Sequence, residues 1–442
     1  MILFAALMAS ISAKGASLEE IYTLAFENDP QIKAAEARYL GKREAVPQAR
    51  AALLPNLTAS GTSTDNRRSI PDDPTPEHRF NTHGWQAQIT QPLFRIDKWF
   101  QLKQAKNIRS QAEAQYEADQ QDLIIRVSES YFNILEAQDR LNAAQAEREA
   151  VQRQLEQVQQ RFDVGLVAIT DLLESTAAFD SSTVNVIEAE GAQIITFEAL
   201  LRLTDRSISN IDALTRDFPV EHPQPMNEEA WVRASLDGNF ELAAAREGVS
   251  VARRGLTIAR SGHYPTIDAA ATFSHTVTHD FDPTVIKTDN KVMSLQITVP
   301  IFSSGATSSR SREAGYRLEE AQRTFDLSQR ITVENARNLY SAINTDVARV
   351  RARLRGIESS QSALEATETG YEVGTRNIVD VLQAQQRLYQ AQFLSASARY
   401  QYIKDVLKLK QVAGALNPAD LKELSSFLDK NRTVSKIRHI TR

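Results

Sequence analysis

An internal duplication constrains the fold of this chain more than any other feature of the sequence. Three segments of the first half recur in the second half, in the same order and at a nearly constant separation of about 209 residues. The matched pairs are LLPNLTASGTST (53–64) with HYPTIDAAATFS (263–274), QITQPLF (88–94) with QITVPIF (296–302), and RFDVGLVAITDLL (161–173) with GYEVGTRNIVDVL (370–382). Each half is therefore expected to contain a helix, a β-hairpin, a very long helix, a short break and a further helix.

The duplication divides the chain into two repeats and three smaller parts. Pro219, Pro223 and Pro225 lie between the repeats and indicate a connector. The two predicted repeats are 16–206, with its hairpin at 55–94, and 230–416, with its hairpin at 263–302. The smaller parts are a signal peptide (1–15), a connector or equatorial segment (207–229) and a C-terminal tail (417–442) that is equatorial or disordered, where equatorial means lying around the middle of the long helices.

The segment that follows each hairpin has a seven-residue apolar pattern, which is typical of a coiled coil. The stripe extends from Val333 to Leu364 in the second half and from Ile124 to Leu141 in the first. Each segment holds roughly 60 residues and would extend about 90 Å as a helix. Several stripe positions are Ala, Gln or Tyr, which suits a sheet of helices with neighbours on both sides. A solvent-exposed antiparallel coiled coil also accounts for this pattern.

The composition agrees with long elements and excludes several classes of protein. Only 16 glycines and 14 prolines occur in 442 residues, so few chain reversals are expected. The formal net charge of −5 provides no basic footprint for nucleic acid. The absence of cysteine excludes disulfides, thiolate catalysis and Cys-ligated metals.

No motif for catalysis, a cofactor or a metal is found. The sequence contains no Gly-rich phosphate loop, no Ser/His/Asp order and no HExxH spacing. His275 and His279 alternate within a predicted strand, but no third ligand accompanies them, so a metal site is not expected there. An enzyme is accordingly not predicted.

The N-terminal segment resembles an export signal. Residues 2–11, ILFAALMASI, form an apolar run that is too short to span a bilayer. Ala13-Lys14-Gly15 follows with the small-x-small pattern of a cleavage site. The alternative is the start of a buried helix.

The hairpins have the pattern of membrane strands. Residues 84–94 and 292–302 alternate apolar and polar side chains over about 10 residues, the length that a tilted transmembrane strand needs. Each is expected to pair with an earlier strand, near 56–66 and 265–279, across loops rich in turn formers at 69–78 and 280–290. Four strands cannot span a bilayer alone, because open sheet edges are not tolerated in lipid. Several copies would have to close one barrel, unless the hairpins are soluble caps on the helices.

With these features together, the chain resembles the TolC family of outer-membrane channel-tunnel proteins from about residue 17 to 416. The resemblance rests on VGLVAITDL (164–172), YEVGTRNIVDVL (371–382) and AQQRLYQAQFLSASARYQYI (384–403). It implies a mainly α fold with a membrane β part. Three chains would build a 12-stranded β-barrel that continues into a periplasmic barrel of long antiparallel coiled-coil helices.

The resemblance also implies roles for residues at the periplasmic tip. Asp171, Tyr371 and Arg376 match the family's gate-holding polar links, and Thr170 adjoins the first of them. Asp380 matches a ring of acids at the tunnel constriction. The family's best-known member has a second acid one helical turn later, where this chain has Gln383. This difference halves the expected fixed charge and weakens the expected block by multivalent cations.

The tip turns are also expected to bind a partner. Gly165 and Gly374 are predicted to end helices there. The stretch at 164–170, with Val164, Gly165 and Leu166, resembles the family's motif for docking a periplasmic adaptor. The second tip at 373–378, with Val373 and Gly374, is a weaker match.

The leading function is therefore a passive, tip-gated homotrimeric exit duct in the outer membrane of a Gram-negative cell, extending into the periplasm. It would serve tripartite efflux or type I secretion with a periplasmic adaptor (a membrane fusion protein) and an inner-membrane RND, MFS or ABC transporter. The alternative is a periplasmic coiled-coil adaptor or scaffold, which should lack lipid-facing strands. The tunnel lining does not specify the cargo, because the inner-membrane partner selects it.

Overall fold

The chain is mainly helical, with six strands in the part that is described. The computed structural model describes residues 15–68, 78–215, 217–279 and 285–437. The helices are α1 Leu18–Asn28, α2 Pro30–Arg43, α3 Ala45–Ala51, α4 Ile96–Asp163, α5 Ile169–Thr204, α6 Glu228–Gly238, α7 Phe240–Ser261, α8 Ala306–Glu372, α9 Ile378–Val412 and α10 Pro418–Ser426. The strands are β1 Asn56–Arg68, β2 His78–Phe94, β3 Asn210–Leu214, β4 Thr266–His279, β5 Val285–Thr298 and β6 Leu428–Ser435.

The same order of elements occurs twice along the chain. A helix, a hairpin, a very long helix and a shorter helix follow one another as α3-β1-β2-α4-α5 and again as α7-β4-β5-α8-α9. The two long helices, α4 and α8, contain 68 and 67 residues. No described helix is both long and apolar enough to cross a membrane.

The chain forms two compact units. Unit 1 comprises 1–36, 116–240 and 329–442, and unit 2 comprises 37–115 and 241–328. The predicted signal peptide lies outside the described residues except for Gly15. The predicted loop at 69–78 lies outside them too, apart from His78 at the start of β2.

Unit 1 is built around the heptad stripes of the long helices. In α4 the stripe residues Ile124, Val127, Tyr131, Ile134 and Leu141 are all buried. In α8 the stripe is buried at Ala336, Ile343, Val347, Val350 and Leu364. Leu354 interrupts it with 51% exposure. The seven-residue pattern thus marks the core of this unit, while one apolar position remains on its surface.

Local capping fixes the first helix of unit 1. Ser17 Oγ accepts a hydrogen bond from the Glu20 backbone N–H at 3.2 Å, and Glu20 Oε2 accepts one from the Ser17 N–H at 2.9 Å. This reciprocal capping box satisfies two donors that the first turn of a helix leaves free. Ala16, one residue earlier, forms an isolated bridge to Ile211 of β3.

The C-terminal tail is ordered as far as it is described, so the disordered alternative for 417–442 is wrong over 417–437. Asn417 begins α10 with a capping box to Asp420, and β6 then pairs antiparallel with β3 of the connector. Leu428 and Val434 are buried in the core of unit 1, and this burial offsets the entropy lost by ordering the tail.

Unit 2 contains one antiparallel sheet of four strands in the order β1-β2-β4-β5. Its central pair joins the two halves of the sequence, with Trp85 of β2 opposite His275 of β4. The outer strands, β1 and β5, each have one neighbour within the chain. Residues that lie opposite each other on paired strands share a face of the sheet, and successive residues along one strand point to opposite faces.

Strand β5, the last strand of this sheet, begins earlier than the sequence predicted. Residues 285–290, predicted as loop, belong to β5, and the strand ends at Thr298 rather than at 302. Lys287 and Asp289 concealed the strand because charged residues are typical of loops, yet both pair in register with β4. Pro300 cannot donate to a ladder, which favours an end just before it.

Candidate functional site

The candidate site consists of two tip turns in unit 1, residues 164–168 between α4 and α5 and residues 373–377 between α8 and α9. In the first turn Gly165 has φ of 79°. Its N–H donates to the Phe162 carbonyl at 2.9 Å, and the Leu166 N–H donates to the Arg161 carbonyl at 2.8 Å. This pair of bonds is a Schellman motif, which ends a helix at a left-handed residue.

The second turn repeats this geometry. Gly374 has φ of 78°, its N–H donates to the Tyr371 carbonyl at 3.1 Å, and the Thr375 N–H donates to the Gly370 carbonyl at 2.8 Å. The structure therefore places Gly165 and Gly374 at equivalent positions, each two residues after the last residue of its helix. Glycine adopts this backbone conformation without the steric cost of a Cβ.

The helices that follow the two turns begin differently. Asn377 caps α9, with its Oδ1 accepting from the Asp380 N–H at 2.8 Å, while Asp380 Oδ2 accepts from the Asn377 N–H at 3.4 Å. Ala168 occupies the equivalent position before α5 and has no side chain that can cap. Asp171, the counterpart of Asp380, is therefore not engaged in a capping box.

Tyr371 has a buried hydroxyl without a hydrogen-bond partner among the described residues. Its ring packs against an apolar cluster that includes Val158, Leu364 and Ile378. The Arg161 guanidinium lies over the ring, with Cζ 5.1 Å from the centroid. Sequence reasoning missed Arg161, because a cation over an aromatic face joins helices that are far apart in the chain.

The predicted gate residues are not linked to one another within a single chain. Arg376 is exposed, and its Nη1 lies 3.9 Å from Asp380 Oδ2. Across the described residues, no hydrogen bond or ion pair joins Asp171 or Thr170 to Tyr371 or Arg376. The guanidinium group of Arg376 therefore has N–H donors that can bind groups outside its own turn.

The position that differs from the family pattern is exposed on α9. Gln383 lies three residues after Asp380 and shares its helix face. The Arg387 Nη2 donates to Gln383 Oε1 at 3.2 Å. The constriction predicted at Asp380 and Gln383 therefore has a cation one turn further along the same helix.

Exposed apolar side chains surround the first tip turn. Val164 and Leu166, both predicted to dock a partner, are 70% and 74% exposed, and Val373 of the second turn is 70% exposed. The structure adds Ile169 and Leu173 of α5, which are also exposed. An exposed apolar cluster is typical of a protein–protein contact surface.

A buried acid pair that the sequence analysis missed joins α8 to α9. Asp346 is 1% and Asp405 8% exposed. Asp346 Oδ1 accepts from Arg349 Nη1 at 2.7 Å, and Asp405 Oδ1 accepts from Gln401 Nε2 at 3.0 Å. Burial, together with a hydrogen bond to Asp405 and the charge of Asp405, raises the pKa of Asp346 to about 6. A proton on Asp346 lets one carboxyl donate to the other.

This pair predicts a stability that falls as the pH rises from about 4 to 6. The pKa of Asp346 is raised in the folded chain from 3.8 to about 6, so the folded state binds more protons in that interval. Asp346→Asn keeps a donor towards Asp405 and removes the charge. We expect it to stabilise the protein at pH 8, by on the order of 1–3 kcal/mol, and to leave pH 4 nearly unchanged.

The measurement is the melting temperature of the purified protein at several pH values. Asp180→Asn, at an exposed position of α5, serves as the control and should leave the profile unchanged. If the melting temperatures of the parent and of Asp346→Asn depend on pH in the same way, Asp346 and Asp405 do not share a proton.

The sequence matches a known family over most of its length. The family described as outer membrane efflux protein matches residues 21–205 and again residues 231–415. The chain is 36% identical to the outer membrane protein TolC of Vibrio cholerae over 416 residues, which cover 93% of this chain and 94% of the relative. It is 28% identical to the alkaline protease secretion protein AprF of Pseudomonas aeruginosa, with 94% and 88% covered.

Solved structures share the fold. The Campylobacter jejuni CmeC outer membrane channel superposes with a TM-score of 0.76 at 18% identity, covering 94% of this chain and 90% of the channel. The open state of the Neisseria gonorrhoeae MtrE outer membrane channel gives a TM-score of 0.73 at 18% identity, with 91% and 90% covered.

Proposed function

This chain belongs to the outer membrane efflux protein family, and on that premise we propose how it works as an outer-membrane exit duct for efflux or type I secretion. Three copies assemble around one axis, their sheets close a barrel in the outer membrane, and their helices form a passage through the periplasm. The passage is closed at the tip turns and opens when an inner-membrane partner engages. A periplasmic adaptor, the alternative function, finds no support among the relatives or the solved structures.

The observation that supports a shared barrel is the sheet order β1-β2-β4-β5. Both outer strands carry a row of backbone N–H and C=O groups that need partners in lipid. The four strands alternate in direction, so β5 of one copy can pair antiparallel with β1 of the next. Three copies would close a barrel of 12 strands, which is wide enough to leave a pore.

The gate in this proposal is formed by the tip residues of neighbouring chains. The exposed Arg376 would bond across chains to Asp171 and Thr170. The Tyr371 hydroxyl, buried and without a partner among the described residues, would bond to a polar group that reaches it when the tip closes. Asp380 would place three acids near the axis, where they favour cations. Opening would separate these contacts in an iris-like movement of α8 and α9.

The partners would be an adaptor at the tips and a transporter in the inner membrane. The adaptor would cover the exposed apolar side chains at Val164, Leu166 and Val373 next to Gly165 and Gly374. An RND, MFS or ABC transporter would supply the energy, because the duct has no motif for nucleotide hydrolysis.

The assembly is tested by purification in detergent and by recording in planar bilayers. We expect a trimer by light scattering and discrete conductance steps that require no nucleotide. Circularly closed sheets should also make the strand amides resistant to hydrogen exchange, including those of β1 and β5. A monomer without conductance would end the channel proposal.

Restoring the missing acid should strengthen cation selectivity. Gln383→Asp adds three carboxylates near Asp380, but Arg387 is within reach at i+4 and offsets part of the charge. We therefore expect a modest increase in the cation-to-anion permeability ratio and in block by trivalent cations, with a larger increase in Gln383→Asp/Arg387→Gln. Reversal potentials in a salt gradient measure the ratio. Unchanged values in both variants would mean that position 383 does not face the lumen.

A further inference from the structure

The register of the sheet in unit 2 separates an apolar face from a polar face. Opposite residues in the three ladders define each face. Near the helical end of the strands, the first face, here called the apolar face, bears Leu57, Ile89, Ala271, Met293, Leu295 and Ile297. The second face bears Thr58, Gln88, Thr90, Thr272, Ser294 and Gln296. In a membrane barrel the apolar face contacts lipid and the polar face lines the pore.

The apolar face changes character towards the hairpin ends of the strands. Trp85 and Phe273, about half exposed, lie above the aliphatic band and mark the level of an aromatic girdle. The same face bears a cationic patch that comprises Arg67, Arg79, Lys287 and Lys291, accompanied by His83, His275 and His279. The patch begins level with the aromatic residues, since Lys291 pairs with Phe273 and His275 with Trp85, and it continues towards the hairpin ends.

Contacts within the patch leave it a net cationic surface. Lys291 Nζ lies 4.9 Å from the centroid of the Phe273 ring. Asp289, one of two acids on this part of the face, accepts from His275 Nδ1 at 2.6 Å. Arg67 and Arg79 lie directly opposite one another in register. Like charges opposite each other destabilise a sheet unless an anion lies between them.

Among the side chains that the structure describes, the polar face bears no cation at the same level; in register, Arg68 and His78 hold the outermost position of that face. Its described side chains there are Thr62, Thr64, Asn66, Phe80, Thr82, Thr276, Thr278, Ile286 and Thr288. Charge that merely accompanies the hairpin turns would appear on both faces. The four cations of the patch instead lie on the face that would meet lipid, at the outer edge of its apolar band.

We propose that the cationic patch binds the phosphate groups of a phosphorylated glycolipid in the outer leaflet of the membrane. This inference rests on the proposed function, because it requires the sheet to lie in the outer membrane. Phosphates lie immediately outside the acyl chains, and the patch begins level with Phe273 and Trp85 and extends beyond them. Guanidinium and ammonium groups bind phosphate oxygens by charge-assisted hydrogen bonds. The occupant is thus a lipid headgroup held in contact with the barrel wall.

The experiment is native mass spectrometry of the detergent-solubilised full-length protein with a bisphosphorylated glucosamine-disaccharide lipid. The matched probe is the same lipid without phosphates. We compare the parent with Lys287→Gln/Lys291→Gln and with the control Lys42→Gln/Lys106→Gln. The control removes the same charge from exposed helical positions of unit 2.

We expect the parent to retain the phosphorylated lipid and to bind the dephosphorylated lipid weakly. The Lys287→Gln/Lys291→Gln variant should lose about tenfold in affinity, whereas the control should match the parent. Equal binding of both lipids, equal loss in both variants, or full displacement by millimolar inorganic phosphate would overturn the inference. Channels that conduct but show no preference would refute this inference alone, while a protein that neither trimerises nor conducts would refute the proposed function as well.

Discussion

Arg376→Ser should raise the conductance of the channel in planar bilayers by about two- to tenfold, because in the proposed gate it removes a link that would hold the closed tip in each of three copies. The Arg376 side chain is 62% exposed, and its only described ion pair, to Asp380, is long at 3.9 Å. The variant therefore costs an isolated chain little. In the assembled gate it would remove charge-assisted bonds worth about 1.5–3 kcal/mol each.

Tyr371→Phe tests the same gate with a smaller chemical change. The hydroxyl is buried and has no partner within the described chain, so its removal should not destabilise a monomer. In the proposed gate the hydroxyl bonds to a polar group when the tip closes, so its loss should raise the conductance and add to the effect of Arg376→Ser. Single-channel recording at low voltage is the measurement.

Two matched variants control for general effects on α8. Tyr316→Phe changes a tyrosine that is 70% exposed on the same helix, and Arg355→Ser changes an exposed arginine. Both should conduct like the parent. If Arg376→Ser and Tyr371→Phe also leave the currents unchanged, the gate assignment is wrong.

Gly414→Ala should destabilise the protein by about 3 kcal/mol or more, the largest stability effect expected for so small a change. Gly414 has φ of 70° and ends α9 in a Schellman motif, with the Ala415 N–H donating to the Lys410 carbonyl at 2.8 Å. A Cβ at this position would overlap the carbonyl oxygen of Gly238 at the end of α6. The left-handed backbone costs roughly 1–2 kcal/mol, and the overlap adds roughly 1–3 kcal/mol more.

Two other glycines separate these contributions. Gly165 has a similar φ but open space around it, so Gly165→Ala should cost only the backbone strain. Gly356 lies within α8, also in open space, so Gly356→Ala should gain about 0.5–1 kcal/mol. Apparent melting temperatures should therefore rank Gly356→Ala highest, then Gly165→Ala, then Gly414→Ala. A Gly414→Ala variant that melts like Gly165→Ala would show that α6 and α9 yield without cost.

The sequence predicted the features that depend on local pattern. The strings at 164–172 and 371–382 predicted the family and the export function, which the comparisons confirm. The heptad stripe predicted many of the buried side chains of α4 and α8, because the periodicity of a helix is fixed by its own backbone. The roles of Asp171, Tyr371, Arg376 and Asp380 at the gate stay predictions.

Features that depend on contacts between distant segments were not predicted. The pairing of β3 with β6 joins residues more than 200 apart in two short strands with mixed polarity. The Asp346–Asp405 pair and the contact of Arg161 with Tyr371 likewise require the packing of helices that no local pattern encodes. The capping box of Asn377 and Asp380 was not predicted either, although it is local and the Asn-x-x-Asp pattern at the start of a helix could have indicated it.

The sheet order β1-β2-β4-β5 has a consequence for biogenesis. In a newly exported chain the two outer strands, β1 and β5, run in opposite directions, and both have backbone groups free to pair with another strand. Backbone hydrogen bonds alone cannot distinguish the correct neighbouring strand from any other strand. Pairing between the sheets therefore does not determine how many copies assemble, and we expect side-chain packing between helices to determine that number. For the proposed trimer, we expect oligomerisation through the helices to precede insertion, so that a chain that has not bound two further copies would remain a substrate for periplasmic proteases.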